Sequence, residues 1–181
     1  MFSYPMPVAL LGATVKGKPN FMTVAWFSRV DYQPSRLAVA IGKSHYTTRG
    51  VEEHGTFSLN LPARDLVVPV DYVGLHSGEK VDKAAVFDVF YGELETAPMI
   101  AQCSLTVECR VIEKVELDVD RLYVGEEVTV YAEEEVLTEG RPDLGKIEPY
   151  VLSMPANEYF PVGEAFAKAW RVGREYERGG K

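Results

Sequence analysis

Residues 104–117 read SLTVECRVIEKVEL and residues 122–137 read LYVGEEVTVYAEEEVL, with Asp118-Val119-Asp120-Arg121 between them. Val, Thr, Ile and Tyr suit a pleated, half-buried surface, and the polar spacer marks a reversal. The pair therefore predicts a long antiparallel hairpin. Upstream, Val8–Val15 reads as a strand, 16–20 as the turn after it, and Phe21–Val30 as the returning strand. A loop over 31–35 leads to Leu37–Ile41, whose continuous apolar character predicts a buried strand. Thr56–Leu61 alternates with period two and stops at Pro62.

Helical signals are fewer. Thr47 or Thr48 is placed to cap a short helix running to about His54, with Gly55 in the left-handed position after it. The stretch 63–73 begins as helix, and Pro69 is expected to end or bend it. Gly163–Val172 predicts a C-terminal helix, because Phe166, Ala169, Trp170 and Val172 supply an apolar face. The charged tail, Arg174–Lys181, is expected to fray. Six or so strands with few helices give a mainly β chain, an antiparallel barrel with helical additions. No internal repeat or composition break marks a second domain, so one domain over 1–181 is expected.

Nineteen basic and twenty-seven acidic residues give a net charge of −8, which argues against broad nucleic-acid binding. A local turn of N–H groups still permits a bound phosphate. No apolar run reaches the ~20 residues of a membrane span, and residues 1–7 lack a signal-peptide pattern. Cys103 and Cys109 point to one face of a strand-like run, too far apart to bridge along a straight strand. Core packing is their first reading and redox work the alternative; the compartment implied is a reducing one, the cytoplasm.

Several chemistries lack their signatures. The glycine-rich dinucleotide fingerprint is missing, and Gly42-Lys43-Ser44 has Leu37 where a phosphate loop needs its upstream glycine. His45, His54 and His76 are isolated in sequence, no cysteine pair has zinc spacing, and the serine-hydrolase elbow is absent. No metal is expected, and Glu133-Glu134-Glu135 reads as a solvated strand end.

Two blocks remain. In Asn20–Ser28, Thr23, Ala25 and Ser28 are small or hydroxylated residues that can share a cavity face, and their size lets backbone approach a flat ring. Trp26 points to the other face, as packing or as a cavity rim. In Gly42–Arg49, the hydroxyls of Ser44, Thr47 and Thr48 gather at a helix start, where free N–H groups and the helix dipole favour a phosphate. Lys43 and Arg49 add charge, and the alternative is an ordinary solvated helix start.

These segments resemble the flavin reductase-like family of FMN-binding split-barrel proteins, which includes the flavoredoxins. Residues 17–26 (GKPNFMTVAW) resemble its Gly-Lys-x-Asn-x-x-Thr-x-Ala-Trp segment, and 43–47 (KSHYT) its phosphate turn. Residues 57–62 (FSLNLP) are similar to its Phe-x-x-Asn-x-Pro strand, 77–83 (SGEKVDK) to the element that follows, and 158–173 to its closing helix. The resemblance implies an antiparallel, Greek-key FMN-binding split β-barrel with a few flanking helices. It also implies that Thr23, Val24, Ala25 and Trp26 border the flavin ring. Lys43, Ser44, Tyr46 and Thr47 would hold the phosphate, Asn60 would lie near the ring, and Ser77 and Lys83 would close the site. Read without the resemblance, Asn60 is a strand-end residue pairing with a turn, 77–78 a loop, and Lys83 part of a solvated helix face.

The function implied is an FMN-dependent oxidoreductase, first an NAD(P)H-dependent flavin reductase. The alternatives are a flavoredoxin-type carrier reduced by a redox protein, or a split barrel holding another ligand such as haem. Flavin would carry the hydride chemistry, so no catalytic side chain is named. Family members are homodimers with flavin near the subunit interface, and the resemblance extends that expectation to this chain.

Overall fold

The computed structural model describes residues 4–176. Its centre is a seven-stranded antiparallel sheet of β2 (Ala9–Val15), β3 (Lys18–Val24), β4 (Phe27–Asp31), β5 (Arg36–Gly42), β6 (Thr56–Leu61), β9 (Leu105–Glu116) and β10 (Asp120–Ala132). Their order is β3-β2-β6-β9-β10-β5-β4. β1 (Met6–Pro7), β13 (Tyr150–Ser153) and β14 (Glu158–Pro161) form a three-stranded sheet. Short ladders pair β7 (Val89–Phe90) with β8 (Met99–Ile100), and β11 (Leu137–Thr138) with β12 (Arg141–Pro142).

β3 and β4 lie at opposite ends of the sheet order, yet only Ala25 and Trp26 separate them in sequence. The two ends of the sheet must therefore meet, which curls it into a split barrel. This corrects the single returning strand expected over Phe21–Val30. The chain leaves β2 at Val24 and pairs with β5 from Phe27, and the Trp26 carbonyl accepts from Ala40 N at 2.9 Å. Local propensity is the same on both sides of that break, so only pairing partners create it.

The barrel is filled by one apolar cluster and covered outside by a second. Ala9, Leu11 and Ala13 of β2 belong to the first, with Val39, Phe57, Leu59 and Tyr123. The intervening Leu10 joins the second, with Phe21, Val70, Val73 and Ile100. A strand covered on both faces reads as an uninterrupted apolar run, which explains β2. β6 is likewise buried along nearly its whole length. Cys109 packs in the inner cluster, whereas Cys103 lies before β9 in the outer one, so the two do not share a strand face. Both thiols are free, and burial pushes each upward, Cys103 to about 12.

The β9–β10 hairpin forms as expected, with irregularities between Val124 and Gly125 and between Glu127 and Thr129. Its second strand ends at Ala132, before the acidic run. α1 (Tyr46–His54) ends as predicted, with Gly55 at φ 64°. Its start differs: His45 takes the cap position without a side-chain bond. Thr48 Oγ1 instead donates to the Gly42 carbonyl at 2.8 Å, and Thr47 is buried. α2 (Val67–Leu75) contains Pro69 without ending there, because the proline occupies the first turn, where N–H groups have no helical acceptor. α3 (Leu144–Ile147) is a single turn capped by Asp143.

The C-terminal helix does not form. Residues 163–171 have no regular structure, Val172–Glu175 makes one 3-10 turn, and Trp170 has φ 58°. Phe166 is 100% and Trp170 91% exposed, so the apolar face is uncovered among the described residues. A short amphipathic segment without a packing partner lacks the contacts that stabilise helices. The end of the expected tail, 177–181, lies outside the described residues.

Candidate functional site

Two chambers share Met22, Thr23 and His45 and form one groove between β3, α1 and the segment after α2. The first, of about 330 Å³, lies at the start of α1; Ser44, Tyr46, Thr47, Ser77 and Lys83 line it. The second, of about 220 Å³, is bordered by Thr23, Val24, Ala25 and Trp26. Nine of the residues proposed from sequence thus meet in a single groove, although they come from three separated segments, 23–26, 44–47 and 77–83.

Among the described residues, no carboxylate lines the first chamber. The opening N–H groups of α1 have neither a side-chain cap nor an acidic residue in the first turn, so the positive end of the helix dipole stays open. Thr47 Oγ1 accepts from Asn20 Nδ2 at 2.7 Å, which leaves the threonine hydroxyl hydrogen to donate elsewhere. Ser77 Oγ accepts from Glu79 N at 3.3 Å and keeps its own hydrogen in the same way. Thr23 Oγ1 donates to the Val70 carbonyl at 2.5 Å, which fixes β3 against α2.

Lys83 supplies the buried charge. It is only 5% exposed, and Nζ donates to the Val73 carbonyl at 2.7 Å. Desolvation moves its ammonium down from 10.5 to about 8. An ammonium has three donors, and one carbonyl acceptor leaves it short of partners. An anion in this chamber would supply what is missing. The solvated-face reading of Lys83 is therefore corrected.

Three proposed residues stand outside the groove lining. Ser28 lies exposed on β4, beyond the Ala25–Trp26 break, and its hydroxyl donates to the Arg29 carbonyl at 3.2 Å. Lys43 turns toward the hairpin end, 3.2 Å from Glu116 Oε2. Asn60 is 0% exposed; Nδ2 donates to the Leu10 carbonyl at 2.9 Å, and Oδ1 accepts from Ile100 N at 2.9 Å. Its amide holds three strands together inside the wall. Arg49, the other cation noted from sequence, is paired with Glu79 at 2.5 Å and lies 5.3 Å above the Tyr46 ring.

The second chamber is mainly apolar, and Trp26, 43% exposed, forms its rim. Asp120 is the one carboxylate in its lining among the described residues. Sequence reasoning missed Asp120, Tyr159 and both histidines of the groove. His45 sits between the chambers with its ring against Gly42, where an added Cβ would come within 3.1 Å of it. His76 lines the first chamber, stacked 4.3 Å from the Tyr72 ring, and its Nδ1 lies 2.8 Å from the Tyr72 carbonyl. A carbonyl only accepts, so Nδ1 carries the hydrogen and Nε2 is the nitrogen left for other partners. Nothing in the one-dimensional spacing of His45 and His76 signals that they share a chamber.

The chemistry of the groove is therefore divided. One end gathers N–H groups, hydroxyls and a buried ammonium around an anion-sized space; the other offers small and aromatic walls to a flat ring. The family model for the flavin reductase like domain matches residues 1–163. Flavoredoxin from Methanosarcina acetivorans matches with a TM-score of 0.94 and 50% identity, over 96% of this chain and 94% of that one. Flavoredoxin of Desulfovibrio vulgaris (Miyazaki F) matches at 0.89 and 34%, over 94% and 93%. An FMN-binding protein from Thermus thermophilus with bound 1-cyclohex-2-enone matches at 0.80 and 25%, over 91% of each chain.

Proposed function

This chain belongs to the flavin reductase-like family, and from that premise we propose that it is an FMN-dependent oxidoreductase acting as a flavoredoxin-type electron carrier. The observation that carries the reading is the groove itself: an uncapped helix start and Lys83 at one end, small β3 residues and Trp26 at the other, meeting at Thr23 and His45. The flavoredoxin likeness, 50% identical over 96% of the chain, favours a protein electron donor.

In this reading the α1 N–H groups, Ser44, Thr47, Ser77 and Lys83 hold the FMN phosphate. Tyr46 walls the same end, and Thr23, Val24, Ala25 and Trp26 border the ring. When bound, FMN supplies hydride and one-electron chemistry. The chain's residues bind and orient it: Lys83 balances the phosphate charge, Thr23 keeps β3 against α2, and the apolar wall excludes water from one side of the ring position. His45 stands at the junction of the two ends. Trp26, at the rim, limits what approaches the ring from outside.

A nicotinamide-dependent flavin reductase is the second reading, favoured by the open, mainly apolar space beside Trp26. Absorption bands near ~450 and ~370 nm that remain with the protein after excess FMN is removed support flavin binding, and a colourless protein overturns it. Stopped-flow mixing with NADH or NADPH then separates the readings. Slow bleaching with rapid reduction by a redox protein supports the carrier; fast bleaching supports the reductase.

The exposed Phe166 and Trp170 suit burial against a second copy, so the working unit of this proposal is a homodimer. Light scattering that gives the mass of one chain overturns that assembly. The free, buried thiols fit a cytoplasmic setting. Among the described residues, no helix is long and apolar enough to cross a membrane.

A further inference from the structure

The last turn of α2 leaves its final carbonyls without helical donors. Two consecutive ones, on Tyr72 and Val73, are taken by two basic side chains that line the first chamber. His76 Nδ1 donates to the Tyr72 carbonyl at 2.8 Å, and Lys83 Nζ donates to the Val73 carbonyl at 2.7 Å. The end of α2 thus brings both groups to the chamber that the open start of α1 faces. His76 is exposed, yet its ring is held twice, by that bond and by a stack on the Tyr72 ring with centroids 4.3 Å apart. Fixing an exposed ring buries little surface, so what the two contacts supply is position. With Nδ1 spent on the carbonyl, Nε2 is the nitrogen left to the chamber, and among the described residues no carboxylate lines that space to engage it. His76 stands immediately before the 77–83 segment and outside it.

We infer that His76 Nε2 contacts the flavin phosphate, and that Tyr72 is the positioning residue that holds it there. The inference rests on the FMN reading above and adds two residues to it. Tyr72 does not line the chamber, so it acts only through the ring it stacks on. His76 brings something that the α1 N–H groups, the hydroxyls and Lys83 do not. A neutral ring accepts from a protonated phosphate oxygen, and a protonated ring donates to an ionised one. In both forms one proton lies between Nε2 and the phosphate, so the contact survives a change in the ionisation of either partner. It requires the phosphate. Riboflavin, with the same ring and ribityl chain but no phosphate, offers Nε2 no charged oxygen.

The test is calorimetric titration of flavin-free protein with FMN and with riboflavin. It compares the parent chain with His76→Ala, His76→Gln, Tyr72→Leu and the double variant His76→Ala/Tyr72→Leu. The parent should bind FMN more tightly than riboflavin. His76→Ala should lose roughly tenfold in FMN affinity while riboflavin affinity is unchanged. His76→Gln, whose amide NH2 reaches the place of Nε2, should recover part of that loss. Tyr72→Leu removes the stack and keeps the backbone carbonyl; it should lose about threefold in FMN affinity, and nothing further once His76 is alanine. Undiminished FMN affinity in His76→Ala overturns the contact, and so do equal losses for FMN and riboflavin. A Tyr72→Leu variant that loses nothing, or loses as much in the His76→Ala background, overturns the positioning role. Parent protein that binds FMN no more tightly than riboflavin, or binds neither, overturns the phosphate reading of the groove itself, and this inference with it. Thermal unfolding of the flavin-free variants, matching the parent, confirms that the comparison is between folded proteins.

Discussion

Asn20 Nδ2 donates to Thr47 Oγ1 at 2.7 Å, and both side chains are buried. This one bond joins the start of β3 to the first turn of α1 across 27 residues of sequence. It fixes one lone pair of the threonine oxygen and leaves the hydroxyl hydrogen to donate into the groove. The neighbouring Asn20 oxygen lies where a Cβ on Gly78 would fall. A single asparagine thus positions the helix start and depends on a side chain being absent from the opposite loop.

Replacing Asn20 with Ala should lower stability by about 1–3 kcal/mol, because a buried hydroxyl loses its donor. It should also weaken FMN binding. Denaturant unfolding and FMN titration of the same preparation measure both effects. Undiminished affinity would show that Thr47 needs no positioning.

Ser44→Ala combined with Thr47→Ala removes two hydroxyls from the anion end of the groove. A hydrogen bond to a charged group contributes about 1.5–3 kcal/mol. The double variant should lose at least tenfold in FMN affinity, at about 1.4 kcal/mol per decade, and retain its fold. Titration of flavin-free protein, with circular dichroism as the check on folding, decides it. Equal affinity would remove the phosphate from this end.

Lys83 gives a pH dependence whose sign is fixed. Burial lowers its ammonium from 10.5 to about 8, so the charged form costs stability in full below about 8. That cost disappears as pH rises from about 8 toward 10.5, and stability from this group increases over the same interval. Flavin affinity moves the opposite way. A phosphate beside Lys83 favours the ammonium, so binding takes up a proton above about 8 and weakens as pH climbs further. FMN titrations across this range should show the decline, and Lys83→Met should flatten it while weakening binding at neutral pH. The same slope in the variant would assign the decline to another group.

Glu108 offers a contrast outside the groove. Its buried carboxylate accepts from Glu93 N at 2.8 Å, Leu94 N at 2.7 Å and the Tyr131 hydroxyl at 2.8 Å. Glu108→Gln replaces one acceptor oxygen with an NH2 donor, which should cost about 1–3 kcal/mol of stability. FMN affinity should be unchanged. A shift in affinity without loss of stability would couple the far side of the barrel to the site.

The amino-acid sequence by itself determined the elements whose signals are local. Thr56–Leu61 forms a strand with those bounds, and Gly55 ends α1 at φ 64° because glycine accepts that backbone without a Cβ penalty. The hairpin across 104–137 followed from β-branched composition, and the family followed from motifs in order. Only the tertiary structure decided the rest. Phe21–Val30 is split because β3 and β4 find partners at opposite ends of one sheet, a choice that depends on strands far away in sequence. Asn60 is spent on the wall while Lys83 faces the groove, since burial and register assign their partners. His45, His76 and Asp120 entered the site for the same reason. Gly163–Val172 carried a helical pattern and formed no helix, because an apolar face stabilises a helix only against a surface that covers it. Propensity and period act between near neighbours; the groove is made by contacts between residues the sequence keeps apart.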